Sequence, residues 1–178
     1  MAMIETVNEY RRNRRHLQSP SFTIPVKFIH FKDPAAASFA EQTMIDHVDT
    51  LNEYYADSDC INFSYDSFVE DTSNADWEDC PNSSVCAGQP SSCQTGLLDQ
   101  RSAMGAAHNV GSNMTIFHVF ICDAGPVFDG YAYYPWTTPL NNMYYRNLNA
   151  AYMSPYTFTD ATYKGTLPHE AGHWLGKR

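Results

Sequence analysis

Two histidines and a glutamate near the C-terminus are the residues whose types and spacing could do chemistry. His169, Glu170 and His173 spell H-E-x-x-H inside Thr166-Leu167-Pro168-His169-Glu170-Ala171-Gly172-His173-Trp174-Leu175-Gly176-Lys177. On a helix, residues four apart stand one above the other on the same face, so both imidazoles can point at one ion. Neutral imidazole suits Zn²⁺, and Glu170 falls beside such an ion rather than on it. From there its carboxylate can take a proton from a water that the metal activates and later pass one to a leaving amine. The same three residues also fit a solvated polar helix face, and H-E-x-x-H occurs by chance in unrelated proteins.

Such a triplet works only if a helix holds it. Thr166 is the expected N-cap, and Pro168 falls in the first turn, where its missing N–H costs nothing. Leu167, Trp174 and Leu175 supply the apolar surface to bury. Gly172 lies inside the motif, and Gly176, three residues after His173, can take φ > 0 and end the helix sharply. The run reads as the opening of H-E-x-x-H-x-x-G-x-x-H, the extended zinc signature of the metzincins. Its third ligand would fall at position 179, one past Arg178. Nothing in the spacing of His16, His30, His47, His108 or His118 favours any of them as a substitute.

Composition bounds what the rest of the chain can be. Its 178 residues suffice for one domain, or a large part of one, with a real core. Apolar residues make up 43% and charged residues 17%, with 12 Tyr and 10 Phe, which describes a globular rather than a disordered chain. A net charge of −9 argues against nucleic acid or an anionic membrane surface as the main partner. No run of about 20 apolar residues is present to span a bilayer.

Residues 1–22 read as a polar, basic lead-in or pro-segment remnant, with Arg11, Arg12, Arg14 and Arg15 and no apolar core of a secretory signal. Other features point to a secreted protein. Of five cysteines, Cys80, Cys86 and Cys93 cluster in a Ser/Asn/Pro-rich stretch without C-x₂-C pairs, so disulfides are expected there. An odd count leaves one thiol free or paired outside the chain. Asn62-Phe63-Ser64, Asn82-Ser83-Ser84 and Asn113-Met114-Thr115 are glycosylation sequons.

The elements that must position the motif follow from hydrophobic period. Ile24 to Phe31 reads as a first strand. Ser38-Phe39-Ala40-Glu41 has the form of a capping box, and an apolar stripe at Met44, Ile45, Val48, Leu51, Tyr54 and Tyr55 predicts a helix from Phe39 to about Tyr55, with His47 exposed. Ile61 to Phe68 alternates as a second strand. Glu70 to Ser92 is acidic and turn-rich, with Trp77 its one large apolar anchor. Leu97 to His108 reads as a short helix closed by Gly111. Met114 to Cys122, nearly all apolar, predicts a central strand buried on both faces, with His118 an interior histidine. After a turn at Gly125 to Gly130, Tyr131-Ala132-Tyr133-Tyr134 before Pro135 predicts a short edge strand. Such an edge can pair with an extended peptide, or form an aromatic hairpin that only packs. Asn142 to Met153 adds a possible further strand, and Asp160 to Gly165 leads into the motif helix.

In this order the segments resemble the pappalysin branch of the metzincin metallopeptidases, from about Ile24 to Gly176. Ile24-Pro25-Val26 is similar to that family's opening strand, and Leu51-Asn52-Glu53 to the end of its first long helix. Asn74-Ala75-Asp76-Trp77 is similar to the motif after its second strand, and Gly130-Tyr131-Ala132 to the segment leading to its substrate-side strand. The run His169-Glu170-Ala171-Gly172-His173-Trp174-Leu175-Gly176 is the most specific part of the match.

The resemblance implies an α+β fold: a metzincin-like upper subdomain over residues 23–178, with a twisted mixed β-sheet, a long backing helix and a C-terminal active-site helix. The lower subdomain and the third histidine would follow Gly176 and are not in this sequence. By the same resemblance His169 and His173 would ligate Zn²⁺, Glu170 would be the general base and acid, and Tyr131, Ala132 and Tyr133 would align a peptide or protein substrate. No residues suggest a calcium site. With two imidazoles in place of three protein ligands, the 178 residues alone are expected to bind zinc weakly and to cleave peptides slowly or not at all. The alternative is an inactive remnant that serves as a secreted binding module.

Overall fold

A computed structural model describes residues 22–58, 60–78, 91–123, 129–133 and 142–176, the last four positions before 95 by backbone alone. The N-terminal lead-in lies outside these residues, as do Cys80, Cys86, Asn82, the turn at 124–128, Tyr134, Pro135 and Lys177.

Five strands form one mixed sheet in the order β2-β1-β3-β5-β4. They are β1 (Phe22–Phe31), β2 (Ile61–Asp71), β3 (Phe117–Ile121), β4 (Gly130–Ala132) and β5 (Ala150–Met153). The pairs β1–β2, β1–β3 and β3–β5 are parallel, and β4 runs antiparallel to β5 at the edge. Helices α1 (Glu41–Tyr54) and α2 (Ser91–Ala107) make the crossovers that parallel neighbours require. A four-residue helix α3 (Met143–Arg146) precedes β5, and α4 (Thr166–Trp174) closes the described chain.

The sheet is covered on both faces, and alternation along each strand sorts the side chains. Val26, Phe28, Phe117, Val119, Ile121, Ala151 and Met153 pack with Met44, Val48 and Leu51 of α1 and Leu167 and Ala171 of α4. The neighbours Ile29, Phe31, Phe120, Ala150 and Tyr152 point the other way, towards Met104 of α2 and Val110. β3 is buried at all five positions, as its unbroken apolar run predicts. His118 within it is 1% exposed, its Nδ1–H donating to the Ile116 carbonyl at 3.1 Å. The Tyr-rich stretch after Asn142 does supply a strand, and β5, buried at all four positions, sits between β3 and β4.

Several expectations need correction. Ser38 does not cap α1, which starts at Glu41 with Ala40 as N-cap and no side-chain cap bond. The Ser38 hydroxyl instead donates to Glu70 Oε2 at 2.8 Å and accepts from Lys32 Nζ at 2.9 Å. Glu41 accepts from the Tyr65 hydroxyl at 2.5 Å. Glu70 of β2 and Lys32, just past the end of β1, therefore outcompete the cap. Strand β2 continues through Val69 to Asp71, so Glu70 is a strand residue, not a loop residue. Tyr54 is 62% exposed at the end of α1, off the buried stripe, whereas His47 is half-buried, its ring 4.7 Å from Phe158. Helix α2 starts at Ser91, six residues before its expected start, and Asn109, in the left-handed region at φ 60°, terminates it. Gly111 is buried against Asn147 and closes nothing.

Candidate metal centre and active site

Helix α4 carries the three residues named by the motif, but not with the expected start. Thr166 is the first helical residue; the N-cap is Gly165, with no side-chain hydrogen bond. At the other end the expectation holds: Leu175 caps the helix and Gly176 takes φ 83°, its N–H donating to the His173 carbonyl at 2.9 Å.

The helix sets His169 above His173, ring centroids 4.5 Å apart and nearly perpendicular. One donor atom each from His169, Glu170 and His173 lies within 4.8 Å of the others, and no other such group of metal-ligating side chains occurs among the described residues. Helix position sorts the three by exposure. His169 faces solvent, His173 is half-buried, and Glu170 points inward at 4% exposed. Burial pushes the Glu170 carboxyl up to about 7, against the pull of the Ala132 main-chain N–H that donates to it. Its Oε2 is buried without a hydrogen-bond partner. His30, His47, His108 and His118 are used elsewhere: His108 pairs with Asp71 Oδ2 at 2.9 Å, and His30 lies 3.8 Å from Glu70. None of them joins the triplet.

Strand β4 runs against this helix as the sheet's edge, which is where the sequence placed it. Gly130 faces α4 so closely that a Cβ there would meet Met153 Sδ at 2.7 Å and Glu170 Cγ at 3.2 Å. Only a glycine lets the strand and the carboxylate approach to this distance. Ala132 is on the same face, packed with the α4 cluster. The side chains of Tyr131 and Tyr133 belong to the opposite face. There Tyr131 stacks on Tyr152 at 4.8 Å, and the buried Arg101 of α2 places its guanidinium 4.5 Å from the Tyr131 ring and donates to the Tyr133 hydroxyl. Beside His169 and Glu170 opens a cleft of about 640 Å³, walled by Asp129, Gly130, Tyr163 and Thr166 among others.

The spacing of the motif thus brings together His169, Glu170, His173 and Ala132. It leaves Tyr131 and Tyr133 only main-chain atoms on the helix side. Sequence reasoning missed Arg101, a single cation in a helix of small and apolar residues, and Tyr55, which read only as part of a stripe. The tyrosines flanking Ala132 were the available signal for a buried cation behind the edge.

The two imidazoles and inward carboxylate fit a divalent cation: imidazole is a ligand for Zn, Cu, Fe and Ni, and His169 is open to solvent. Among the described residues the third protein ligand of a catalytic zinc is not supplied. No family model matches the sequence, and no curated protein does. Among solved structures, the chain is similar to mirolysin, solved in complex with a compound, with a TM-score of 0.55 at 18% identity. The match covers 88% of this chain and 64% of that one. The fold is that of a metzincin upper subdomain. In this fold β4 is the edge strand, and α4, which carries the H-E-x-x-H run, lies beside it. The chain spans just under two thirds of mirolysin's length.

Proposed function

We propose that the protein is a zinc-dependent metalloendopeptidase of the pappalysin type. The observation that carries this reading is the inward Glu170 beside two imidazoles set edge to face on one helix, next to a sheet edge. His169 and His173 would hold the ion. Bound Zn²⁺ would polarise the scissile carbonyl and acidify the attacking water. Glu170 would serve as the general base towards water and the acid towards the leaving nitrogen, a role for which a carboxyl near neutrality is suited. The Ala132 N–H orients its carboxylate, and Oε2 is left without a protein partner. The edge strand carrying Tyr131, Ala132 and Tyr133 would align an extended peptide, and the Asp129–Tyr163 cleft would receive one of its side chains.

The pappalysin assignment rests on the H-E-A-G-H-W-L-G run. We assign residues 23–178 to the upper subdomain of a catalytic domain, its first strand opening one residue earlier, at Phe22. We place the protein outside the cell: Cys122 is disulfide-bonded, and the sequon residues Asn62 and Asn113 are exposed. No helix among the described residues is long and apolar enough to cross a membrane. The test is cleavage of a quenched peptide library by the zinc-loaded protein. Slow cleavage that a chelator abolishes and Glu170→Gln lowers by about 10²–10⁴-fold is the expected result. Cleavage indifferent to both would contradict it. A second reading, a binding module, draws on the same free edge at β4. Peptide that binds and is never cut would favour it.

A further inference from the structure

Helix α4 is poorly supported from within its own segment. It has nine residues, a glycine N-cap without a side-chain bond, and a proline in its first turn. Isolated helices of that length are marginal in water, so its start must be held by something else. The C-terminal end of α1 does so. The Tyr55 hydroxyl donates to the Pro168 carbonyl at 3.0 Å, a buried bond between residues 113 positions apart. The Tyr55 side chain is 7% exposed and packs with Leu51, Leu167 and Ala171. Its neighbour Tyr54 closes on Gly165, where a Cβ would come within 3.0 Å of the hydroxyl oxygen.

The Pro168 carbonyl belongs to the same rigid peptide plane as the His169 N–H. That N–H donates to the Gly165 carbonyl at 3.1 Å. The plane carrying His169 is thus gripped at both ends, by Gly165 on one side and Tyr55 on the other. His169 itself is exposed, so its own side-chain packing does little to fix it. We propose that Tyr55 is a positioning residue for the metal ligand His169, acting through the Pro168–His169 peptide plane. The inference deepens the metal-centre reading and rests on it.

The test replaces one hydroxyl. In Tyr55→Phe the ring and its packing remain while the bond to Pro168 is lost. Co²⁺ is titrated into the full chain and followed by its visible absorption bands, and amide exchange is read over residues 166–174 and over β3. The expected result is a Co²⁺ affinity lowered about tenfold, the low end of what outer partners of metal ligands contribute. Amide exchange should quicken in α4 and not in β3. Val110→Ala, which thins the core on the other face of the sheet, controls for simple destabilisation and should keep the parent affinity. If the parent binds Co²⁺ and Tyr55→Phe binds it equally well, the metal centre stands and the positioning role is overturned. If the parent takes up no Co²⁺, the metal reading fails and the positioning role falls with it.

Discussion

Glu170 is a carboxylate held buried at the expense of stability. Its folded-state pKa is pushed up to about 7, above the ordinary 4.5, because burial opposes the charge. A raised carboxyl contributes stability below its unfolded value, and that contribution is lost as pH rises through about 7. Metal-free Glu170→Gln should therefore be more stable than the parent at pH 8, by up to ~3 kcal/mol for a shift of this size, and no more stable at pH 4. Urea unfolding at the two pH values checks this; a loss of stability at pH 8 would contradict it. His118 has the opposite linkage. Burial lowers it from 6.5 to about 4, so below pH 6.5 the unfolded chain takes up a proton that the folded chain refuses. Stability should fall by roughly 3 kcal/mol between those values, and His118→Gln should flatten that fall. An unchanged slope in a pH-resolved denaturation series would refute the assignment. At this scale the site was legible in part. His169, Glu170, His173 and Gly176 declare themselves because helical period and glycine's left-handed φ are local properties of the chain. Tyr55 and Arg101 do not, because each acts on a partner far away in sequence.

At the scale of elements, the edge strand and its helix form one unit. Gly130 permits the close approach of β4 to Glu170, and Gly130→Ala would force β4 outward, since the Tyr152 carbonyl also stands 3.2 Å from the added carbon. The expected cost is about 1–3 kcal/mol, with cleavage falling further than the lost folded fraction explains. Thermal unfolding compared with peptide turnover at a temperature where both forms are folded checks it. On the far side, Asn52 reaches from α1 to both polar groups of Phe63, donating to its carbonyl at 2.9 Å and accepting from its N–H at 2.7 Å. Asn52→Ala leaves both groups of a strand residue without that partner and should cost about 2 kcal/mol, read as a lower urea midpoint. Elements were legible where one period ran through them, as in β3 and the stripe of α1. The capping signal at Ser38 misled because Glu70 of β2 and Lys32, just past β1, compete for the hydroxyl. The start of α2 was hidden by Ser, Cys and Gln residues that carry no apolar period.

For the whole molecule, the two-faced sheet explains why a site can lie at its margin. Side chains of β1, β3 and β5 fill both layers, and of the two edge strands among the described residues, β2 and β4, it is β4 that lies beside α4. The order of strands, helix and motif in the sequence already resembles this metzincin arrangement, in which α4 lies beside the edge strand. The parallel order of the strands was not legible, because pairing is set by contacts between distant segments. The central claim is that His169 and His173 hold one divalent cation. Calorimetric titration of zinc into the protein and into the His169→Ala/His173→Ala double variant tests it directly. One zinc per chain in the parent and none in the variant is the predicted result; no uptake by the parent, or equal uptake by both, would contradict it.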